Sequence, residues 1–280
     1  MNTLQDALQQ AATAGLERLD AQMLLLHALG RSPHDRAWLI AHDRDPLPDD
    51  ASARWTTLLQ RRQAGEPVAY LLGEKAFGGL TLQVDARVLV PRPDTEVLVD
   101  WALDALPPPG GSDSPRLLDL GTGSGAIALT VASRRPDAQV TATDASAAAL
   151  AVAQANAHRL ALPVRFAQGA WLTAVPGERF DVIASNPPYI AEGDAHLAAL
   201  THEPITALTA GPDGLDDIRQ IVDQAPAALP PGGWLLLEHG HDQAAAVREL
   251  LETAGFEQVS SRNDLAGIAR CSGGRWPGLR

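Results

Sequence analysis

The sequence predicts an α/β fold built on a mostly parallel sheet, with a small helical region ahead of it. From residue 116 onward, short apolar runs alternate with helix-like stretches, a pattern that lays strands side by side in parallel. The first 70 or so residues instead carry apolar residues at helical spacing and no strand-like run. At 280 residues the chain has room for one large or two ordinary domains and a sizeable core.

In the helical region Leu4, Leu8, Ala11 and Ala12 form one stripe, and Ala21, Leu24, Leu25 and Ala28 a second. Gly30, Pro33, Pro46 and Pro48 punctuate them. Asp49 and Asp50 open a further helix bearing Trp55, Leu58 and Leu59. These stripes read as core, and no catalytic constellation accompanies them. Residues 1–72 are therefore expected to be a helical domain whose outer face docks a partner. Residues 73–92 read as a connector, with Phe77–Val84 and Arg87–Val90 forming a hairpin around Asp85-Ala86. Pro91-Arg92-Pro93 leads into a helix starting near Asp94 or Thr95. The remainder, 93–280, holds the sheet. Pro107-Pro108-Pro109-Gly110-Gly111 is a surface loop within it.

The first strand of the sheet, entered at Arg116-Leu117-Leu118, runs into Asp119-Leu120-Gly121-Thr122-Gly123-Ser124-Gly125 and then an apolar helix from Ala126. Glycines there allow a tight turn and close backbone approach of a ligand to a helix N-terminus. The second strand, Gln139–Thr143, ends at Asp144, about 20 residues past the glycines, where an acid bonds ribose hydroxyls. The alternative for Asp144 is an N-cap of the following helix, Ala145 to Leu160. The glycine loop alone does not separate a nicotinamide dinucleotide from other adenosine ligands. Further strands are expected at Val164–Phe166, 180–185, Trp234–Glu238, Phe256–Val259 and Gly267–Cys271.

The run Phe180–Ser185 ends in Asn186-Pro187-Pro188-Tyr189. Neither proline donates to a sheet ladder, so the strand stops there. The loop then offers an amide oxygen, bare carbonyls and an aromatic ring. Such a set suits a planar NH2 group with two N–H donors. A plain proline turn is the competing reading of this tetrapeptide alone.

Composition narrows the field. Twenty-two basic and 34 acidic residues give a net charge of −12, which disfavours tight binding to nucleic acid. One cysteine, Cys271, excludes an internal disulfide and a cysteine zinc site. His239 and His241 lie close together but lack a third ligand, so no metal is expected. Without a basic-then-apolar leader or an apolar stretch of about 18 residues, the expectation is a cytoplasmic protein without membrane contact, acting as a monomer.

The glycine loop, Asp144 and the Asn186–Tyr189 strand end together resemble the class I (Rossmann-like) methyltransferases that use S-adenosylmethionine. Glu66–Gly73, Val90-Pro91-Arg92-Pro93-Asp94-Thr95-Glu96, Gly211–Asp216, Leu229–Gly233, Glu238-His239-Gly240 and Asp264–Gly267 resemble, in order along nearly the whole chain, the release factor glutamine methyltransferases. That resemblance implies methyl transfer to the side-chain amide nitrogen of the glutamine in the Gly-Gly-Gln motif of class I peptide-chain release factors. It implies a cofactor site at Gly121, Thr122, Gly123, Ser124, Gly125, Asp144, Trp171 and Asn186, with Trp171 by the adenine. It further implies that Asn186, Pro187, Pro188 and Tyr189 hold the glutamine, with Asn186, Pro187 and Tyr189 catalytic. Glu96 and Glu238 are candidates to face the cofactor's charged end, with capping the alternative for Glu96. For Trp171 alone, a core position is the alternative. Asp94, Gly78 and His239 depart from the family's usual residues. The rival within the same chemistry is an adenine N6 or guanine N2 methyltransferase acting on nucleic acid, against which the acidic balance weighs. A nicotinamide oxidoreductase leaves Asn186–Tyr189 unexplained, and a non-catalytic docking module leaves the intact motifs unexplained.

Overall fold

The computed structural model describes residues 3–110 and 114–278, so Gly111 of the proline-rich loop lies outside the described residues. The chain divides into two compact units, Met1–Glu74 and Lys75–Arg280.

The first unit is helical: α1 (Leu4–Thr13), α2 (Arg18–Ala28), α3 (Arg36–Ala41), α4 (Asp49–Gln63) and α5 (Val68–Leu72). α1 starts where it does because of a reciprocal cap. The Thr3 hydroxyl accepts from the Asp6 amide, and the Asp6 carboxylate accepts from the Thr3 amide. The core joins Leu4, Leu24, Leu25, Leu39, Trp55 and Leu59. The α1 stripe differs from the expected one. Ala7, not Ala12, is buried beside Leu4 and Ala11, and Leu8 is half-buried. Positions 4, 7 and 11 keep one helical face, whereas position 12 has rotated off it.

A hairpin follows, β1 (Glu74–Phe77) and β2 (Leu80–Gln83). Its turn is at Gly78-Gly79, correcting the expected turn at Asp85-Ala86. Both glycines have positive φ, 57° and 85°, as a two-residue hairpin turn of the favoured hand requires. Arg87–Val90 forms no strand. Asp85 instead closes a turn there, accepting from the Arg87 amide at 3.0 Å.

The rest of the second unit is α6 (Thr95–Ala105), β3 (Arg116–Leu120), α7 (Ala126–Arg134), β4 (Gln139–Asp144), α8 (Ala147–Leu160), β5 (Val164–Gln168), β6 (Val182–Ser185), α9 (Asp216–Ala228), β7 (Trp234–Glu238), α10 (Ala244–Thr253), β8 (Glu257–Asn263) and β9 (Ala269–Arg275). The strands form one seven-stranded sheet in the order β5-β4-β3-β6-β7-β9-β8. All neighbours are parallel except at β9, which runs antiparallel to β7 and β8.

Alternation along the strands builds two cores. Leu117, Val182, Ala184 and Leu236 face α6, α7 and α8, while Leu118, Ile183, Leu235 and Leu237 face α9 and α10. A sheet covered on both faces explains why its strands read as continuous apolar runs. The last two strands are longer than expected, because β9 continues through Gly273 and Gly274. A Cβ at Gly273 would lie 2.6 Å from Leu236 Cδ2, so neighbouring side chains occupy the space these glycines leave.

Strand order reverses between β3 and β6: β4 and β5 lie on one side, β7 on the other. The carboxyl ends of strands at such a switch point are where open α/β sheets place ligands. Among the described residues no helix is long and apolar enough to cross a membrane.

Candidate active site

Both segments singled out in the sequence emerge at this switch point. Beyond β3, the glycine loop is fastened from three sides. The Thr122 amide donates to the Thr143 carbonyl at 2.9 Å. The Gly123 amide donates to Asp144 Oδ2 at 2.9 Å. The Thr122 hydroxyl (2.6 Å) and the Ala128 amide (3.1 Å) both donate to Asp119 Oδ2. Asp119 is fully buried and its Oδ1 has no partner. Burial lifts its carboxyl to about 7, and the two donated hydrogen bonds only partly offset this.

Asp144 is not the N-cap of α8. That role falls to Ser146, whose hydroxyl accepts from the Ala149 amide. Asp144 Oδ1 instead accepts from the Ser146 amide at 2.8 Å. Each carboxylate oxygen keeps a further lone pair, and the residue lines a cavity of about 450 Å³.

The Trp171 backbone has φ +49°, a left-handed conformation that costs a bulky residue on the order of 1–3 kcal/mol. That conformation brings the ring over the glycine loop. A Cβ on Gly121 would stand 3.3 Å from Trp171 Cζ3. Asp217 accepts a hydrogen bond from Trp171, and burial raises the Asp217 carboxyl above the ordinary carboxylate range. Trp171 both lines the cavity and packs against the α9 core, so the two readings of this residue are not exclusive.

At the end of β6, the Asn186 amide donates through Nδ2 to Thr95 Oγ1 at 3.2 Å. The backbone after it is held by Gln243, whose Nε2 donates to the Tyr189 carbonyl at 3.0 Å and to the Asp213 carbonyl at 3.2 Å. Gln243 Oε1 accepts from the Gly240 amide at 2.8 Å. One side chain thus joins the Asn186–Tyr189 loop, the Gly211–Asp216 loop and the turn after β7. Gln243 carried no sequence signal. Thr95 lies in the Val90–Glu96 segment, where the sequence marks only the start of a helix.

The cavity gathers Gly121, Thr122, Gly123, Ser124, Asp144, Trp171, Asn186 and Pro188 around one space, with Thr95, Asp217 and Ala126. Gly125, Pro187 and Tyr189 are not among the residues lining it. Gly125 opens α7, where a Cβ would meet Leu129 Cδ1 at 2.7 Å. Burial raises the Tyr189 phenol well above its ordinary range, so it stays protonated at neutral pH. Glu96 is exposed and accepts from the Gly78 amide at the hairpin turn, which takes it away from the cavity. Glu238 lies behind the loop, buried, and does not line the cavity either. His239 is buried between the Gly240 carbonyl and the Ser272 hydroxyl. Among the described residues no group of three or more His, Cys, Asp or Glu is placed to hold a metal.

The family model described as "Methyltransferase small domain" matches residues 96–211, and that described as "PrmC N-terminal domain" matches residues 2–73. A release factor glutamine methyltransferase of Bordetella pertussis is 54% identical over 277 residues, covering 98% of this chain and 99% of that one. The chain belongs to the release factor glutamine methyltransferase family. The family member of Salmonella typhimurium is 43% identical over 98% of this chain and 97% of its own. Solved structures share the fold at lower identity. A methyltransferase from Pyrococcus furiosus has a TM-score of 0.56 at 23% identity, covering 79% of this chain and all of that one. The 16S rRNA N2 G1207 methyltransferase of Thermus thermophilus, solved with AdoMet and guanosine, has a TM-score of 0.54 at 21% identity, covering 72% of this chain and 49% of its own.

Proposed function

We propose that the protein transfers a methyl group from S-adenosylmethionine to the side-chain amide nitrogen of the glutamine in the Gly-Gly-Gln motif of class I peptide-chain release factors. The observation that carries this reading is the meeting of Asn186 with the glycine loop and Asp144 at one cavity. Family membership supports the same substrate.

The cavity fits an adenosyl ligand on its own features. It is within the range of small-molecule sites. It combines an aromatic ring, an acid at the end of β4 and a backbone loop on which no Cβ stands at Gly121 or Gly123. In this reading Asp144 bonds the ribose, Trp171 lies along the adenine, and Gly121 to Gly125 give the loop its shape. S-adenosylmethionine, when bound, supplies the methyl and its own leaving group.

An amide nitrogen is a weak nucleophile, since its lone pair is delocalised into the carbonyl. The chain's task is to orient that nitrogen and stabilise the positive charge it gains. Asn186 Oδ1 and the Pro187 carbonyl are read as accepting one N–H each, contacts that strengthen as charge develops. Tyr189 is read as fixing the plane of the amide, a positioning effect. Its raised pKa removes it as a base, and no other side chain is assigned that role.

Residues 1–72 are read as the part that recognises the release factor, 73–92 as a connector and 93–280 as the methyltransferase domain. The protein is read as a cytoplasmic monomer, meeting its substrate where translation ends.

The test is methyl transfer from labelled S-adenosylmethionine to intact, unmodified release factor by the parent and by Asn186→Ala. The reading expects a loss of turnover on the order of 10²-fold, as for removal of a transition-state contact, with the fold retained. Near-normal turnover at saturating substrate would reduce Asn186–Tyr189 to a turn. Preferential labelling of RNA or DNA would favour a nucleic-acid amino-group methyltransferase.

A further inference from the structure

The side chain of Asn186 has an acceptor end and a donor end of nearly equal size. Only the acceptor end can receive an N–H from a substrate amide; the donor end would face N–H with N–H. Something must therefore decide which way this amide points. In the structure Asn186 Nδ2 donates to Thr95 Oγ1 at 3.2 Å, so Oδ1 is the end turned away from Thr95. Thr95 sits at the start of α6 and is 4% exposed. It does not serve as the helix cap, because Asp94 holds the N-cap position.

A threonine hydroxyl has one proton and two lone pairs, and it commits to accepting only when its proton is taken elsewhere. The group behind it is Glu238, at the end of β7. Glu238 is 1% exposed and its Oε2 has no hydrogen-bond partner. The Thr95 and Tyr189 hydroxyls both act on this carboxyl as hydrogen-bonding groups. Burial raises the Glu238 carboxyl to about 7; Arg270 favours its ionised form, while Asp94, paired with Arg270 at 3.1 Å, opposes it. Above about pH 7 the ionised Glu238 accepts only, so it draws the Thr95 proton inward and leaves the oxygen's lone pairs for Asn186.

We infer that Thr95, backed by the buried Glu238 side chain, is a positioning residue that holds Asn186 with its amide oxygen toward the substrate amide. This rests on the reading of Asn186 as the group that receives the glutamine. Neither Thr95 nor Glu238 touches the reacting atoms. Each acts through Asn186, and Glu238 additionally through the Tyr189 hydroxyl.

The experiment compares the full-length parent with Thr95→Val, Thr95→Ser and Glu238→Gln, each at saturating S-adenosylmethionine with intact release factor. Thr95→Val keeps shape and removes the hydroxyl. Its turnover should fall on the order of 10- to 100-fold, less than the roughly 10²- to 10³-fold of losing a direct transition-state contact, because Thr95 acts through Asn186. KM for the release factor and the affinity for S-adenosylhomocysteine should stay at parent values. Thr95→Ser restores the hydroxyl and should recover most of the turnover. Glu238→Gln, which replaces a carboxyl that only accepts once ionised by a group that also donates, should lose turnover in the same way above about pH 7. Should Thr95→Val fail to fold, Thr95→Ala takes its place against Thr95→Ser. Parent-like turnover without the hydroxyl would overturn the inference, as would a serine variant as impaired as the valine one. A parent that does not methylate the release factor would instead overturn the functional reading, so the two failures are distinct.

Discussion

The Ser185 hydroxyl donates to the Leu120 carbonyl at 2.8 Å. Both residues are fully buried, and each is the last residue of its strand, β6 and β3. The next residues are Asn186 and Gly121. This bond therefore adds to the β3–β6 pairing of Leu120 with Ser185 in setting the spacing between the proposed substrate loop and the glycine loop. Ser185→Ala should cost about 1 kcal/mol, the usual net worth of such a bond, and lower turnover as the two ends loosen. Urea unfolding checks the first part and steady-state kinetics the second. A variant matching the parent in both would show that sheet pairing alone sets the spacing.

Asp144→Ala should weaken cofactor binding more than it slows the transfer step. A charged hydrogen bond lost at the ribose is worth on the order of 1.5–3 kcal/mol. Removing Asp144 also frees the Gly123 and Ser146 amides that it holds. Calorimetric titration with S-adenosylhomocysteine reads the effect, and an unchanged dissociation constant would remove Asp144 from the cofactor site.

Gly214→Ala should be severe although Gly214 does not line the cavity. Its φ is +73°, and a Cβ there would sit 2.2 Å from the Tyr189 carbonyl oxygen and 2.9 Å from Gln243 Nε2. The Tyr189 backbone would have to move, breaking the Gln243 bridge. We expect turnover to collapse while S-adenosylhomocysteine still binds, because the glycine loop lies elsewhere in the cavity wall. Equal loss of both functions would mean that the whole second unit had been disturbed.

What was legible in the sequence follows from the physics of each element. β3, β6 and β7 are buried on both faces and read as apolar runs, whereas β4, equally buried, is legible by its β-branched Val140, Thr141 and Thr143. Asn186-Pro187-Pro188 ended a strand because proline cannot extend a ladder. β9 was cut short because its Ser272-Gly273-Gly274 segment has no apolar signature; what fills its space comes from Leu236 and Phe256. The Gly78-Gly79 turn is masked in the sequence because strand-like residues continue past it through Val84. At the candidate site, Asp144 is legible from its place at the end of the second strand and Trp171 from the family resemblance, and both line the cavity. Gln243 was not, since its partners, Tyr189, Asp213 and Gly240, come together only in the folded chain. Glu96, a candidate to face the cofactor's charged end, instead accepts from the Gly78 amide across the fold, a contact that its neighbours in the sequence do not signal.

Asp119 makes a prediction about pH. Its carboxyl is raised from 3.8 to about 7, chiefly by burial, so between those values the folded chain holds a proton that the unfolded chain has released. Its contribution to stability is complete below the unfolded value and is lost as pH rises through about 7. Asp119→Asn carries no such charge, and its amide oxygen can still accept from Thr122 and Ala128. Relative to the parent, the cofactor-free variant should gain stability between about pH 5 and about pH 8. Thermal unfolding at both pH values measures it. A difference that does not change with pH would show that burial does not hold a proton on Asp119.

The central claim is the identity of the methyl acceptor, and tandem mass spectrometry of unmodified release factor after reaction with the full-length protein and S-adenosylmethionine addresses it most directly. The account predicts one added methyl on the glutamine of the Gly-Gly-Gln motif. It also predicts no transfer when that glutamine is replaced by glutamate, which has no N–H to offer Asn186 Oδ1 and the Pro187 carbonyl. A methyl group on another residue, or continued transfer to the glutamate-bearing factor, would contradict it.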